Sequence, residues 1–580
     1  MESNAFLVPD TEHGLLIAFG EFARQHRLIG DLMRVPIGQK TVTFKPQTKL
    51  VEFLAGIMSG IEYLADLNAG PHPVVNDQAV IRAWDQPGFA HYSSVSRTLD
   101  ACEAATVKAV QEVIDSFSQP FITQAIQDQL RRGEPLVLDL DLMGQSVSST
   151  SETYPDAKFG WMNDGVQLGY QLARVCIHTP VWGRIWLAGF HHPGNTVSAQ
   201  CLQELILAAE TQAQVRPRRR TDLVRQRLQA MAAPIERYER LIGQHGDKLQ
   251  IHRATLDTLK GKCYHAEQLQ KGAMTEAARE RLNRQREGWQ RRIPKIEQAI
   301  AQIQQVLTNH RQRLQALHDE RATTQAWLAT LEADNATNPD APVCEARMDA
   351  GFTTGPNLTW LIEMGYIPNT KAPSDKTTQA LRRAVTPHTP WVTVGDNAQM
   401  TGYGDYWLHD CPYPLTVALE RFKIGQEYKY ATLITYRDTA WMPTLPEWFQ
   451  SYNGRQTIEA GNKEMKGPFH VQHLMSRSLA GIQIQVLFTG LGSNLVRWCA
   501  PWLRTCAAES TPPLDKILSS PKRMVRVAAN ASAVVQHTHF GLSLRFTPQS
   551  ALPNVTLFLR GVPAFQPSLG FFQPYQNRSP

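Results

Sequence analysis

Nowhere does the chain hold the ~18 consecutive apolar residues that a membrane span requires. Its most apolar stretch, Leu479–Gly490, is interrupted by Gln483 and Gln485, so no membrane partner is expected. The first residues, Met1–Leu15, carry Glu2, Asp10 and Glu12 and lack a basic n-region, which speaks against a secretory signal. No Cys-x-x-Cys pair occurs among Cys102, Cys176, Cys201, Cys263, Cys344, Cys411, Cys499 and Cys506, and no Cys/His group has zinc spacing. Buried, reduced thiols in a cytosolic protein are the expectation. Net charge is also scarce, at +6, while 42% hydrophobic and 19% charged residues exclude a disordered chain.

What is present is unevenly placed. With 580 residues the chain exceeds what one core needs, and three or four domains are expected. Between Arg216 and Arg321 stand 23 Lys/Arg and 12 Asp/Glu, a local balance of +11 that leaves the remainder near −5. A concentrated positive segment suits a polyanion partner, although a solvated coiled-coil surface has the same composition.

The chain changes character along its length. Residues 1–130 are expected to be helical, with apolar spacing over Leu50–Leu67 and amphipathic helices at Ala104–Phe117 and Phe121–Leu130. Tyr92–Leu99 opens on short polar residues and carries Arg97, which fits a helix that touches phosphates. Residues 131–214 turn to α/β, with strands at Leu136–Leu142, Tyr170–Ile177 and Arg184–Phe190, then a helix at Ser198–Ala209. Residues 215–335 are rich in Gln, Arg, Ala, Leu and Glu and suit an antiparallel helical hairpin or coiled coil, with breaks at Gly243–Gly246 and Gly261–Lys262.

Residues 336–371 return to α/β, with a strand at Val343–Met348, a helix at Asn357–Met364 and another strand starting at Tyr366-Ile367. Residues 372–436 hold short strands, among them Trp391–Val394, Tyr406–Trp407 and Tyr428–Tyr436. Helices return over 437–510, and 511–580 offers strand-like runs at Val525–Ala528, Leu542–Phe546 and Val555–Leu559 before a Pro-rich tail.

Three acidic positions stand out. Asp139 and Asp141 share one face of the alternating run Leu136–Leu142, where carboxylates are costly to bury without a partner or a metal. Asp349 ends the strand Val343–Met348 just before a glycine turn. On a single helix, Tyr452, Arg455, Glu459 and Lys466 fall at about 0°, 300°, 340° and 320°, one narrow face. Three hard carboxylates can hold two Mg²⁺ ions for phosphodiester transfer, with Arg455, Lys466 and Tyr452 gripping flanking phosphates.

The spacing Y-x2-R-x3-E-x6-K over Tyr452–Lys466 resembles the tyrosine–arginine–glutamate–lysine signature of bacterial cut-and-paste insertion-sequence transposases of the DDE class. Leu138–Gly144 resembles the family's first-strand motif and Gly169–Val175 its next strand. Arg347–Phe352 resembles the second-aspartate motif, Trp360–Gly365 its following helix, and Ser93–Leu99 a stretch common before the core. The resemblance implies an α/β, RNase H-like catalytic core, a mixed sheet flanked by helices. A long helical insertion and a short β-rich insertion interrupt that core, and a helical DNA-binding region precedes it. It puts Asp141, Asp349 and Glu459 in the catalytic and metal-holding positions. Asp139 remains the alternative to Asp141, because Met143 stands where the family usually has threonine.

The activity implied is metal-dependent cleavage at transposon ends and strand transfer into target DNA, in some relatives through a hairpin. Two Mg²⁺ ions per site, with Mn²⁺ substituting, are implied as cofactors. Double-stranded DNA is the implied partner, as terminal inverted repeats and target, with Tyr452, Arg455, Lys466 and Arg97 on its phosphates. A homodimer in the end-paired complex and a cytoplasmic, nucleoid-associated location complete the expectation. The alternative is a catalytically silent DNA-binding protein of transposase descent.

Overall fold

The structure is a computed structural model that describes residues 10–40, 43–162, 165–436, 444–509, 511–538 and 541–561, the side chains of 456–460 and 538 excepted. The Pro-rich tail beyond residue 561 and the side chain of Glu459 lie outside the described residues. The chain divides into two compact units, residues 219–339 and all the rest.

The larger unit opens with helices α1 (Gly14–Gln25), α2 (Leu28–Leu32), α3 (Pro46–Ser59), α4 (Asp66–Ala69), α5 (Gln78–Ala83), α6 (Tyr92–Asp100) and α7 (Ala104–Arg131). α3 ends earlier than its apolar spacing suggests, because Gly60 adopts φ +78° and closes it with a left-handed cap. α7 corrects the expectation of two helices at Ala104–Phe117 and Phe121–Leu130, since it runs unbroken through Pro120. The proline removes one backbone hydrogen bond. Packing offsets that loss, for Phe117 and Phe121 on either side of it meet Trp498, with Phe121 stacked at 4.6 Å. α8 (Ser198–Ala213) follows later in the chain.

The unit 219–339 is helical throughout: α9 (Thr221–Ala230), α10 (Ala232–Gly272), α11 (Glu276–Gln290) and α12 (Ile293–Ala336). α10 and α12 lie antiparallel, as the pairs Tyr238–His310 and Lys260–Glu297 establish. The breaks expected at Gly243–Gly246 and Gly261–Lys262 do not occur, and α10 continues to Gly272. A glycine inside a helix costs only about 1 kcal/mol, too little to end a helix packed along a partner.

A mixed sheet forms the centre of the larger unit. Its strands are β1 (Leu136–Ser146), β2 (Lys158–Met162), β3 (Gly165–Thr179), β4 (Gly183–Pro193), β5 (Cys344–Arg347), β6 (Tyr366–Lys371), β7 (Val392–Gly395), β8 (Ala398–Tyr406), β9 (Leu415–Ile424) and β10 (Glu427–Thr435). They run in the order β2-β3-β1-β5-β6-β10-β9-β8-β7, and β4 also pairs with β3. β1 is antiparallel to β3 and parallel to β5, and β5 is parallel to β6. The short strands of 372–436 thus extend the same sheet through the antiparallel pair β6–β10. β2 and β9 have no counterpart among the strands expected from sequence.

Helices α13 (Gly355–Glu363), α14 (Asp375–Arg383), α15 (Leu445–Gly454), α16 (Gln456–Lys466), α17 (Leu479–Cys506), α18 (Pro512–Leu518) and α19 (Pro521–Arg523) complete the unit with a small sheet, β11 (Ala533–Thr538), β12 (Gly541–Phe546) and β13 (Thr556–Leu559). Val525–Ala528, expected as a strand, lies instead in a wide helical turn over Met524–Ala528, which buries Met524, Val525 and Ala528. α7, α8 and α17 pack on the first strands of the sheet. α17 is long and apolar enough to cross a membrane by composition, but 83% of its most apolar window is buried against the rest of the unit, the place of a core helix.

Candidate active site

Register decides what each aspartate of β1 faces. Asp139 lies opposite Arg347 on β5, and Asp141 lies opposite Arg174 on β3. Asp139 is fully buried, and Arg347 holds it with two bonds, Nε to Oδ1 at 2.7 Å and Nη2 to Oδ2 at 2.9 Å. Arg184 Nε adds a third contact to Oδ2 at 3.4 Å. A carboxylate gripped by two buried guanidiniums has little left to offer a ligand.

Asp141 is held differently. Its Oδ2 accepts from Asn462 Nδ2 at 2.9 Å and lies 3.5 Å from Arg174 Nη2. Arg174 also donates to Asn462 Oδ1, so Asn462 on α16 bridges the cation and the anion. The other oxygen, Oδ1, faces Arg455 Nη2 at 3.7 Å.

Asp349 sits two residues past the end of β5 and caps the short turn Ala350–Phe352, its Oδ1 accepting from Gly351 N at 2.8 Å. Its Oδ2 faces the same Arg455 Nη2, also at 3.7 Å. Burial pushes the Asp349 carboxyl above its ordinary pKa, Arg455 opposes that shift, and Asp141 adds to it. Two carboxylates on or just beyond adjacent parallel strands therefore aim one oxygen each at a single cationic nitrogen.

The expected single helix over Tyr452–Lys466 is two helices, with Arg455 at the joint between α15 and α16. The cause is tertiary: Arg347 Nη1 donates to Ser451 O at 2.7 Å, and a Cβ on Gly454 would meet that same nitrogen at 2.2 Å. Arg347 thus ties Asp139 to the end of α15. Tyr452 is buried beside Trp448, Met400 and Leu433, and burial pushes its hydroxyl up to about 12, with Arg455 adjacent. Glu459 lies on α16, three residues before Asn462, and Lys466 closes the same helix.

Arg97 is not part of this group. It is exposed on α6 and bonds its own helix, to Ser93 O at 3.2 Å and to Ser94 Oγ at 3.2 Å.

The structure brings together Asp141, Asp349, Arg455 and Tyr452, and adds Arg174, Arg184, Arg347 and Asn462, none of which the motifs single out for a role. A usable signal existed for the arginines of β3 and β5. Arg174 lies among Leu172, Ala173, Val175 and Cys176, and Arg347 among Ala346 and Met348, and a cation inside an apolar strand needs an anion beside it. Asn462 had no comparable signal. No protein-family profile matches the chain, and no curated protein matches it in sequence.

Proposed function

We propose that the chain is a DNA transposase of the DDE class, which cleaves transposon ends and joins them to target DNA. The observation that carries this proposal is the convergence of Asp141 Oδ1 and Asp349 Oδ2 on Arg455 Nη2, 3.7 Å from each. The strand order β4-β3-β1-β5-β6, antiparallel on one side of β1 and parallel on the other, supports an RNase H-like core. The sequence signature over Tyr452–Lys466 supports Glu459 as the third carboxylate.

The donor set suits Mg²⁺, with Mn²⁺ substituting, because that class of ion takes hard oxygen ligands and these two oxygens already converge on a cation. Asp141, Asp349 and Glu459 would hold two such ions, which activate the attacking oxygen and stabilise the leaving one. Asn462 and Arg174 fix the Asp141 carboxylate through Oδ2 and leave Oδ1 directed inward. Gly351 N fixes Asp349 in the same way through Oδ1. Arg455 would give up the carboxylates for a DNA phosphate when cations enter, with Lys466 and the hydroxyl of Tyr452 on neighbouring phosphates. The basic segment Arg216–Arg321 and the helix carrying Arg97 offer further phosphate contacts. Pairing of two ends calls for a homodimer, and DNA as substrate calls for a cytoplasmic, nucleoid-associated location.

The test is Mg²⁺- or Mn²⁺-dependent cleavage of duplexes that carry the inverted repeats flanking the gene. Asp141→Ala, Asp349→Ala and Glu459→Ala are each expected to abolish product while retaining the gel shift. Normal cutting by all three variants would sink the site assignment. A wild-type gel shift with no product under either metal would instead favour a silent DNA-binding protein.

A further inference from the structure

Far along the chain from the aspartates, Glu62, His470 and His473 place one ligand atom each within 4.8 Å of one another. We propose that these three side chains form a second metal site, for a Zn²⁺-class transition ion, which fastens the turn after α3 to the segment after α16.

The residue types fit such an ion. Two borderline imidazoles with one carboxylate make a ligand set suited to zinc, and three protein ligands leave one position for water. Glu62 Oε1 lies 3.1 Å from His473 Nδ1. The edge of a tetrahedral zinc site with bonds of about 2.0–2.1 Å is about 3.3 Å, so this pair already stands at coordination spacing. His473 Nδ1 itself is shut off from solvent and makes no well-directed hydrogen bond, so its one close polar neighbour among the described residues is the Glu62 carboxylate.

Each ligand is also held from behind. Asp66 Oδ2 accepts from Glu62 N at 3.0 Å and from Tyr63 N at 2.8 Å, which fixes the backbone that carries Glu62. The Tyr63 ring stacks on the His473 ring at 5.2 Å, nearly parallel at 14°. Gln485 Nε2 donates to His473 O at 2.8 Å, and His473 N donates to His470 O at 2.9 Å. His470 itself is in the left-handed region at φ +46°, a conformation a non-glycine residue keeps only where its surroundings impose it. These contacts hold the backbone of the cluster and one face of the His473 ring in place. Arg526 is the nearby cation, and it spends one nitrogen on Gly467 O at 3.0 Å.

Such an ion would join the N-terminal helices to the chain that leaves α16. It would therefore steady the C-terminal end of the helix carrying Lys466. The two sites share no ligand, because Asp141 and Asp349 are held by other residues: Asn462, Arg174, Gly351 and Arg455.

The experiment uses the full chain without a polyhistidine tag, stripped with EDTA and titrated with Zn²⁺ alone, then with Co²⁺ for its visible d–d spectrum. One equivalent of Zn²⁺ is expected, with a four- or five-coordinate Co²⁺ spectrum and a rise in melting temperature on adding zinc. Glu62→Gln and His473→Gln should each weaken binding by at least about tenfold, since loss of even an outer-shell partner costs that much. An Asp141→Ala, Asp349→Ala double variant should bind Zn²⁺ as the wild type does. The proposal fails if stripped wild type takes up no stoichiometric Zn²⁺. It fails equally if His473→Gln binds like wild type, or if the equivalent disappears with the two aspartates instead. Melting of the metal-free proteins checks that the variants fold.

Discussion

Asp141 and Asp349, on or just beyond neighbouring parallel strands, turn one carboxylate oxygen each toward a common point, where Arg455 Nη2 lies 3.7 Å from both. Their second oxygens are held by fixed donors, Asn462 Nδ2 for Asp141 and Gly351 N for Asp349. Two neighbouring carboxylates stay charged together more readily when a cation stands between them. Arg455 is that cation.

Arg455→Ala should therefore destabilise the chain by about 1 kcal/mol, since both contacts are long, Asp349 is partly exposed and each carboxylate keeps another donor. It should also make the protein more responsive to divalent ions, since a competing cation has been removed. The measurement is melting temperature against Mg²⁺ concentration, without DNA. A larger Mg²⁺-dependent rise in the variant than in wild type is expected. Equal rises would mean that Arg455 and the ion do not share a place.

Asp139 and Asp141 should separate cleanly. Asp139→Ala strands Arg347 and Arg184 in the interior, and losing one partner of a buried pair costs about 3–5 kcal/mol. Asp141→Ala removes a looser partner, 3.5 Å from Arg174, which keeps its bond to Asn462, and should cost less. A chemical denaturation curve for each decides it. If Asp141→Ala proves the more damaging to stability, then Asp141 and not Asp139 is the structural aspartate.

The motif resemblance favoured Asp141, but the strand pattern could not make that division, for a physical reason. Residues 139 and 141 share a strand face, so period and hydrophobicity treat them alike, and what distinguishes them is an arginine 208 residues away on β5. The alternation of Leu136–Leu142 and the acidic end of Val343–Met348 were legible because each is a local pattern. The joint at Arg455 was not, because it follows from Arg347 reaching Ser451 and Gly454. The turn at Met524–Ala528 was missed for the opposite reason. Its valines suggest a strand, yet burial at 524, 525 and 528 has helical spacing.

Glu52 gives a pH dependence with a definite sign. It is fully buried on α3, its Oε2 accepts from Ala90 N at 2.7 Å, and burial pushes its pKa up to about 8 from an ordinary 4.5. Between those values the folded chain keeps a proton that the unfolded chain releases. The contribution is fully present below the unfolded value and is lost as pH rises through the folded one, at up to about 1.4 kcal/mol per pH unit. Glu52→Gln keeps an acceptor for Ala90 and cannot ionise. Its melting temperature should exceed that of wild type at about pH 9 and converge with it toward about pH 5. Parallel curves across that range would mean that Glu52 is charged in the folded protein.

The helical unit 219–339 closes on itself at its base, which makes its role separable. Arg219 N donates to Asn335 Oδ1 at 2.8 Å, Asn335 Nδ2 returns to Arg219 O at 3.0 Å, and Arg219 Nε meets Asp334 Oδ2 at 2.5 Å. Entry and exit of the chain are thus adjacent, so a short Gly/Ser linker can replace residues 220–334 without stretching, and a shorter loop carries less closure entropy. The remaining chain is expected to fold. If the +11 segment grips DNA phosphates, the shortened protein should bind duplex DNA more weakly and with a shallower salt dependence. Every phosphate that the shortened protein no longer neutralises should reduce the slope of log K against log salt by about 0.9. An unchanged affinity with an unchanged slope would remove these helices from the DNA interface and leave their charge as a solvated surface.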